Sequence, residues 1–408
     1  MKNSKYNVID LFAGCGGLSE GFKQTKEFNF LAFVEWEKKP CETLIHRLTK
    51  KWKYKKPSEI VLRFDMQRTE ELISGWKNDK KYGSHKGLDS LIENNSLDIV
   101  IGGPPCQAYS IAGRVKDKNG MRDDYRNYLF ESYVKIVDRY KPKIFVFENV
   151  QGMLSAKPGD VSIIKRITEA FNAIGYEITN DLKNKALLDS SEFGVPQIRK
   201  RVIIIGVHKE SLKENPQVVL DDFYCEILPK YKVKNKKTVK DAIADLTPIY
   251  PLKNQDRRAS HHIDCNNFSS HTPRFHSLRD QEIFKELAKD KLDGTNKYPD
   301  TQSLIKLYYE KTGKTSKFHK YNVLEYTKPS NTIPAHLYKD GLRHIHPDPL
   351  QARSITPREA ARLQTFPDDF EFLGSMGEKY KMIGNAVPPL LSRQIAKAIK
   401  ELMKKYFL

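Results

Sequence analysis

The sequence predicts an α/β protein in which a doubly wound, mostly parallel sheet with one antiparallel strand is joined to a smaller, irregular domain. Over the first 210 residues, short apolar runs rich in β-branched and aromatic residues alternate with longer polar stretches. Near-continuous apolar runs are typical of strands buried on both faces of a parallel sheet, and the polar stretches between them supply crossover helices. The five runs are Asn7–Phe12, Asn29–Val34, Leu97–Ile101, Lys143–Phe147 and Val202–Val207.

A change in amino-acid composition and in hydrophobic periodicity marks the second domain. Lys-rich segments with many Tyr, His, Asn and Pro residues and no clear period follow the last run. We therefore predict a sheet domain formed by residues 1–210 and 375–408, and a separate domain at 211–374. Thr356, Pro357 and Glu359 form a capping-box pattern that predicts a helix start.

The carboxyl-terminal segment predicts a helix that docks on the sheet domain, because its apolar residues recur at helical spacing. These residues, which form an apolar stripe along one face of the helix, are Leu391, Ile395, Ile399, Leu402 and Met403.

Composition indicates a cytoplasmic protein with a polyanionic partner. The 408 residues are 39% hydrophobic with a mean hydropathy of −0.61. No apolar run approaches the roughly 20 residues that span a bilayer, so no membrane contact is expected. Five cysteines without CxxC spacing suit free thiols in a reducing compartment. The formal charge of +19 favours nucleic acid as the partner.

A glycine-rich turn follows the first predicted strand, at Ala13–Gly21 (AGCGGLSEG). It is neither a P-loop nor a full dinucleotide fingerprint, because Ser19 stands where the third glycine would be. By itself it fits a structural turn as well as a ligand loop. The second strand ends in Glu35 and Trp36, 21 residues beyond Gly14, where a carboxylate would hold a ribose diol and an indole would face an adenine. With Asp65 as an acceptor for an exocyclic amine, these residues jointly predict an adenosine site.

A second group of side chains is predicted at the carboxyl ends of later strands. GGPPC follows the Leu97–Ile101 strand, and its two prolines would present Cys106 rigidly to the cleft. An inert buried thiol is the alternative. Glu148 ends the neighbouring strand, and Arg201 begins the last one. Arg201 can reach this edge only if its strand runs antiparallel to the others.

These groups suit methylation of a pyrimidine at C5, which is a poor nucleophile. A thiolate that adds to C6, with a proton or hydrogen bond supplied at N3, makes C5 enamine-like and able to accept a methyl group. The thiol must ionise first, and nearby cations would help, since a free cysteine has a pKa of about 8.5.

Taken together, the motifs resemble those of the DNA cytosine-5 methyltransferases in the family's own order, along almost the whole chain. DLFAGCGG resembles the S-adenosylmethionine loop, GGPPCQAYS the catalytic loop, ENV the acid motif, QIRKR the QxRxR element and GNAVPP the closing motif. The resemblance implies the S-adenosylmethionine-dependent methyltransferase fold, with residues 211–374 as the target recognition domain. It also implies S-adenosyl-L-methionine as the cofactor and S-adenosyl-L-homocysteine as the product.

The resemblance also implies roles for individual residues. Cys106 would be the covalent nucleophile, Glu148 the acid that engages cytosine N3, and Arg199 and Arg201 (with Gln197) the element that holds the base. The implied cofactor-binding residues are Phe12, Ala13, Gly14, Gly16, Glu35, Trp36, Asp65, Met66, Pro104, Asn385 and Val387.

Double-stranded DNA is the implied partner, and the target cytosine would be flipped out of the helix. We expect a monomer associated with the nucleoid, which a cognate restriction endonuclease acting on the same site could accompany. Residues 108–126, with two glycines and no strong period, are predicted to form a lid over the DNA. His261, His262, Cys265 and His271 match no standard zinc spacing, so no metal is expected.

Three alternatives remain open from the sequence. An RNA cytosine-5 methyltransferase is the nearest, although Gln-Ala-Tyr-Ser after Cys106 differs from the Phe-Thr typical of the transfer-RNA enzymes and favours DNA. A catalytically silent DNA-binding regulator would not need the intact set of Cys106, Glu148 and Arg201. A nicotinamide enzyme is disfavoured by Ser19 and by the Pro-Pro-Cys loop.

Overall fold

The computed structural model describes residues 5–93, 95–105, 129–157, 161–255, 259–262, 268–315, 321–339 and 341–407. The chain divides into two compact units. The first, called the sheet unit, comprises Met1–Phe193, Lys200–Lys234 and Val387–Leu408. The second unit comprises Gly194–Arg199 and Asn235–Ala386.

All the predicted strands are present in the sheet unit, together with shorter ones. In chain order the described strands are β1 (Tyr6–Leu11), β2 (Phe28–Glu35), β3 (Val61–Arg63), β4 (Trp76–Asp79), β5 (Gly83–His85), β6 (Ile99–Gly102), β7 (Ile144–Val150), β8 (Tyr176–Ile178), β9 (Leu187–Asp189) and β10 (Lys200–His208).

The main sheet has the order β3-β2-β1-β6-β7-β10-β8, with β9 paired to β10 and with β4 and β5 forming a separate hairpin. Strands β1, β2, β3, β6 and β7 are parallel, whereas β10 runs antiparallel to β7. The predicted direction of the Arg201 strand is therefore confirmed. The strand order reverses between β1 and β6, and ligands of open α/β sheets bind beyond the carboxyl ends of the strands at such a reversal.

Helices connect most of the successive strands of the sheet unit. Those of the sheet unit are α1 (Gly17–Gln24), α2 (Lys38–Lys50), α3 (Thr69–Ser74), α4 (Asp89–Ile92), α5 (Leu129–Tyr140), α6 (Ile163–Ala173), α7 (Pro216–Asp222) and, as numbered along the whole chain, α13 (Pro389–Tyr406). No helix in the described part of the chain is both long and apolar enough to cross a bilayer.

The carboxyl-terminal helix α13 packs on α1, as its apolar stripe predicted. A Cβ at Gly21 would lie 2.4 Å from the carbonyl oxygen of Pro389, so only glycine permits this close approach of the two helices. The Ser392 hydroxyl donates to the carbonyl of Leu18 across the same contact. The last helix therefore fixes the helix that follows the glycine-rich turn.

The boundaries of the units differ from those predicted. Residues 211–234 belong to the sheet unit, whereas 194–199 and 375–386 belong to the second unit. The reason in the first case is a buried tyrosine: the Tyr224 hydroxyl accepts a hydrogen bond from the Ile205 N–H and donates to the Ile203 carbonyl. Both groups lie on β10, so the segment after α7 is tied to the sheet.

The second unit contains more helical structure than the irregular domain predicted from its composition. Its helices are α8 (Val239–Ile243), α9 (Leu278–Asp293), α10 (Thr301–Thr312), α11 (Pro357–Leu363) and α12 (Met376–Asn385). The predicted capping box at Thr356 and Glu359 is confirmed at the start of α11. The two long helices α9 and α10 were not predicted. They enclose a small core that includes Phe284, Leu287 and Leu307.

Buried polar groups hold the second unit together at α11. Glu359, 1% exposed, accepts two hydrogen bonds of 2.7 Å from the Arg353 guanidinium, which is itself 1% exposed. The positive charge of Arg353 holds the pKa of Glu359 well below its usual range, against the effect of burial. The pair therefore stays ionised at neutral pH.

A second buried ion pair braces the glycine-rich turn in the sheet unit. Glu20 on α1 is 3% exposed and accepts hydrogen bonds from Arg47 Nε (3.1 Å), Arg47 Nη2 (2.7 Å) and Trp52 Nε1 (3.0 Å). We expect Glu20→Ala to lower the free energy of unfolding by about 3–5 kcal/mol, because it leaves the Arg47 charge buried without its carboxylate. Urea denaturation followed by tryptophan fluorescence reports on this unit, since Trp36, Trp52 and Trp76 all belong to it.

Glu42→Ala is the matched control. Glu42 contacts Lys39 at 2.7 Å on the surface of α2, and its side chain is 33% exposed. Removing a surface pair of this kind changes stability by about 1 kcal/mol or less. A loss of equal size in the two variants would contradict a structural role for the Glu20 ion pair.

Candidate active site

The loop after β1 has a backbone shape that brings N–H groups to its surface. Phe12, Gly14 and Gly16 all adopt positive φ angles of 60°, 56° and 91°. A Cβ at Gly16 would lie 2.7 Å from the Leu44 side chain, whereas a Cβ at Gly14 would meet no atom within 4 Å. Glycine at 16 is therefore required for packing. The space beside Gly14 is open, as a ligand cradle requires.

Glu35, at the end of β2, is joined directly to this loop. Its Oε2 accepts a hydrogen bond from the Gly14 N–H at 2.9 Å, and its Oε1 accepts from the N–H groups of Trp36 and Glu37 at 2.8 Å. Burial raises the pKa of Glu35 to about 7, and the three N–H groups oppose that rise. The carboxyl group can thus exist in either protonation state near neutral pH.

The neighbouring residues offer an apolar face beside Glu35. Trp36 is 48% exposed, and the Lys81 ammonium lies 5.9 Å from the centroid of its ring. Asp65 follows β3, and its Oδ1 accepts a hydrogen bond from the Gln67 N–H at 3.0 Å, while Met66 is buried. Ala13, also buried, donates its N–H to the Val34 carbonyl. An open glycine cradle, a carboxyl group and an exposed indole fit an adenosyl ligand, so these residues could hold S-adenosylmethionine.

The next strand pair presents the second group of predicted residues. Gly102 pairs with Phe147 in the parallel β6–β7 ladder, which places Gly103 level with Glu148. A Cβ at Gly103 would lie 2.6 Å from Glu148 Oε2, so a larger residue here would displace the carboxylate from this position. Pro104 and Pro105 continue the chain away from the strand. Cys106, and the predicted lid at 108–126, lie outside the described residues.

Arg201, at the start of β10, meets Glu148 directly. Its Nε lies 2.8 Å from Glu148 Oε1, and the two side chains are 14% and 13% exposed. Burial lowers the pKa of Arg201, whereas the negative charge of Glu148 opposes that lowering. The antiparallel pairing of Arg201 with Val150 on β7 produces this contact. Glu148 Oε2 therefore faces Gly103, while the Arg201 guanidinium contacts the other carboxylate oxygen, Oε1.

Arg199 occupies a different environment from the catalytic one predicted for it. It is 1% exposed, and its guanidinium donates to the carbonyl groups of Ile333 and Gly384, each at 2.9 Å. Gln197 is also fully buried, and its amide bonds to the backbone at Leu363 and Ile333. Both residues stabilise the backbone of the second unit. The terminal nitrogens of Arg199 are directed at main-chain carbonyls, and its catalytic role stays a prediction.

The remaining predicted cofactor residues come from the closing motif. Asn385 ends α12 in the second unit and is exposed, whereas Val387 begins the last segment of the sheet unit and is 7% exposed.

Asn149 is a site residue that the sequence analysis did not single out. It is 2% exposed, its amide donates to the Pro104 carbonyl at 3.5 Å, and its Oδ1 accepts from the Val150 N–H at 2.7 Å. It therefore ties the Pro-Pro loop to the strand that carries Glu148. The only sequence signal was its place beside Glu148 in ENV.

The histidines that were weighed as metal ligands are engaged by protein groups. Both ring nitrogens of His261 contact oxygen atoms, of Ser260 and Gln351, at 2.9 Å. His271 is held in the same way by Thr356 and Thr247. Among the described residues, no group of three or more His, Cys, Asp or Glu side chains could hold a metal ion. Cys265 is outside those residues.

Comparison with known proteins places this geometry in a family. The model of the C-5 cytosine-specific DNA methylases matches residues 6–401. The type II methyltransferase M.Bpa9945I of Bacillus paralicheniformis is 34% identical over 97% of this chain and 99% of its own length. M1.HphI of Haemophilus parahaemolyticus is 31% identical over 96% of this chain and 86% of its own.

Solved structures share the fold. A crystal structure described as a DNA modification methyltransferase encoded within an E. coli prophage superposes with a TM-score of 0.65 at 24% identity, covering 98% of this chain and 100% of the other. S. pombe Dnmt2 gives a TM-score of 0.55 at 14% identity, covering 98% of each chain. The match to the family model extends over nearly the whole sequence and favours DNA methylation over the RNA and nicotinamide alternatives. The chain belongs to the family of C-5 cytosine-specific DNA methylases.

Proposed function

We propose that this enzyme transfers a methyl group from S-adenosyl-L-methionine to C5 of a flipped-out cytosine in a specific sequence of duplex DNA, through a covalent bond between Cys106 and C6. The observation that carries the proposal is the Glu148–Arg201 ion pair of 2.8 Å beside Gly103, three residues before Cys106. It brings an acid and a cation to the loop that leads to the thiol.

Each residue has a distinct task in this mechanism. The Cys106 thiolate adds to C6 while Glu148 gives a proton or a hydrogen bond to N3, so that the ring electrons are released at C5. Arg201 holds the Glu148 carboxyl group and the oxygen-bearing edge of the base. After methylation a base removes the C5 proton, N3 returns its proton to Glu148, and the C6–S bond breaks to restore the thiolate and the aromatic ring.

The glycine-rich loop and the Glu35 carboxyl group would bind the cofactor, which supplies an electrophilic methyl group and leaves as S-adenosyl-L-homocysteine. Glu35 would accept hydrogen bonds from the ribose hydroxyls, and Trp36 would cover one face of the adenine. Phe12, Gly14 and Gly16 shape the loop, and Asp65 would accept a hydrogen bond from the adenine amine. Met66, Pro104 and Val387 would complete the walls, and a contact of Asn385 with the cofactor is implied by the family resemblance alone.

The protonation of Glu35 predicts a pH dependence of cofactor binding. Only the ionised carboxylate offers both oxygens as acceptors, and its pKa is about 7. The Kd for S-adenosyl-L-homocysteine should therefore be lowest above pH 8 and should rise by up to about tenfold for each pH unit below 7. Isothermal titration calorimetry between pH 6 and pH 8.5 measures this dependence.

Glu35→Gln serves as the control, since glutamine keeps the shape of the side chain without a titrating group. We expect its Kd to be higher than that of the wild type above pH 8, and constant over the same range. An identical pH profile in both proteins would contradict the role of Glu35.

The DNA partner and the biological setting follow from charge and family. We propose that residues 211–374, in the boundaries predicted from sequence, include the target recognition domain, and that the enzyme acts as a monomer on nucleoid DNA in the cytoplasm. A formal charge of +19 favours contact with phosphates. The two relatives named above are type II methyltransferases, so we also propose that a cognate restriction endonuclease cleaves the same sequence.

Bisulfite sequencing of genomic DNA from cells that express the enzyme tests the proposal. We expect one short sequence whose cytosine is protected from conversion at nearly every occurrence. Unmethylated DNA, in cells that contain folded protein, would instead support a catalytically silent DNA-binding regulator.

A further inference from the structure

A cavity of about 470 Å³ lies at the amino-terminal edge of the sheet. Lys5, just before β1, lines it, together with Lys23 in the last turn of α1 and Lys26 just after that helix. Trp52, Lys53 and Tyr54, which follow α2, complete the lining. Strands β1 and β2 begin here, at Tyr6 and Phe28, whereas Glu35 and the glycine-rich loop lie at their opposite ends. The cavity is therefore separate from the catalytic edge. Its volume lies within the range of small-molecule sites, about 300–1,000 Å³.

Its charge is positive, although the charge of Glu20 acts on Lys23 from a distance. None of the four lysines forms an ion pair with a carboxylate in the part of the chain that the structure describes. The two nearest acidic residues in sequence are already engaged: Glu20 by Arg47 at 2.7 Å, and Glu27 by Lys400 at 2.5 Å. Lysines elsewhere on this unit are commonly paired, as Lys185 is with Asp221. Four unpaired ammonium groups around one concave surface attract an anion.

Lys23 is held in place by aromatic rings. Its ammonium donates to the Tyr54 hydroxyl at 2.7 Å and lies 4.3 Å, 5.1 Å and 5.6 Å from the ring centroids of Tyr54, Trp52 and Phe30. These contacts orient the charge without neutralising it. Burial lowers the pKa of Lys23 to about 8, which an anion in the cavity would reverse.

Two of the other lysines adopt left-handed backbone conformations. Lys26 has a φ of 64° and Lys53 a φ of 56°. Residues other than glycine seldom adopt this region, and they do so at a cost of about 1 kcal/mol or more. Lys26 follows the end of α1 and Lys53 follows the end of α2, and a left-handed residue is common just beyond a helix end.

We propose that this cavity binds phosphate groups, as a site distinct from the methyl-transfer centre. The lysines would bind the phosphate oxygens, and Trp52 and Tyr54 would form an aromatic wall. The phosphates could come from a free polyphosphate or nucleotide, or from the backbone of duplex DNA beyond the target sequence. The chemistry of recognition is the same for both sources.

Calorimetric titration of the full-length protein with inorganic pyrophosphate tests the site. We expect saturable binding to the wild type, and an affinity at least tenfold lower in the double variant Lys26→Gln/Lys53→Gln, because two charges near the ligand are lost. Both lysines are exposed, so folding should be preserved. The control is Lys165→Gln/Lys213→Gln, which removes two exposed charges from the same unit away from the cavity and should bind like the wild type.

A second arm uses a 40-base-pair duplex that contains the target sequence, and it identifies the source of the phosphate. Pyrophosphate binding that the cavity variant weakens, with equal duplex affinity in both double variants, assigns the site to a free ligand. A tenfold loss of duplex affinity in the cavity variant alone assigns it to DNA. The proposal is overturned if pyrophosphate fails to bind and duplex affinity is equal in the two double variants. It is overturned equally if pyrophosphate binds the wild type, the cavity variant and Lys23→Gln with the same affinity and duplex affinity is equal in the two double variants.

Discussion

Replacing Cys106 with serine is expected to lower the rate of methyl transfer by about 10⁴-fold or more, while leaving cofactor affinity unchanged. A serine hydroxyl does not ionise near neutral pH, so the nucleophile that activates C5 would be lost. Transfer of tritiated methyl groups to duplex DNA under single-turnover conditions measures the chemical step directly. The loss should appear in the rate constant and not in the Kd for S-adenosyl-L-homocysteine, because the predicted cofactor residues Gly14 and Glu35 lie in the loop after β1 and at the end of β2.

Cys225→Ser provides the matched control. Cys225 is an exposed free cysteine of the same unit, so the change of atoms is identical and the position is unrelated to the site. Its activity should equal that of the wild type. If Cys106→Ser retained more than a tenth of the wild-type rate, the thiol could not be the covalent catalyst.

Glu148→Gln is expected to lower the same rate constant by about 10²–10⁴-fold, the range of a lost general acid. The amide keeps the size of the side chain, but it cannot transfer a proton to N3 when the base is bound. In the free enzyme it also lacks the negative charge that pairs with Arg201 at 2.8 Å. Because Arg201 is largely buried, its guanidinium would also lose its orientation. Single-turnover rates between pH 6 and pH 9 should show the loss throughout.

Two further variants separate chemistry from structure. Glu169→Gln removes a carboxylate on α6 that is 63% exposed and lies 3.8 Å from Lys165, and it should leave the rate unchanged. Arg201→Lys keeps a positive charge but loses the fixed planar donor, so it should be slower than the wild type. A Glu148→Gln enzyme with the wild-type rate would remove Glu148 from the mechanism.

The long strands of the sheet could be predicted from the sequence because each is a near-continuous apolar run. Strands of three residues, such as β3 and β8, are too short to show a period and were not found. The helices α9 and α10 were missed for another reason. Their charged residues are mixed with few apolar ones, and the core contacts of Phe284 and Leu307 come from the pairing of the helices. The caps were nevertheless visible, with Ser277 before α9 and Gly294 after it.

The part of the site that could be predicted is the part in which a required contact between two side chains fixes the direction of a strand. Arg201 had to meet Glu148, and that need correctly predicted an antiparallel strand. Arg199, two residues earlier, carries the same side chain but donates to the carbonyl groups of Ile333 and Gly384. Sequence alone cannot separate these two arginines, since a buried guanidinium is defined by acceptors that are distant along the chain. The same applies to Asn149, whose contact with Pro104 exists only in the folded sheet.

Covalent trapping on duplex DNA that contains 5-fluorocytosine at the target position tests the central claim most directly. Fluorine at C5 cannot leave as a cation, so the enzyme should remain bonded to C6 after methyl transfer. Tryptic digestion and mass spectrometry should then find the modified base on the peptide Gly87–Arg114, in which Cys106 is the single cysteine. An adduct on any other residue, or efficient methylation of normal DNA by a protein that never forms an adduct, would contradict this account.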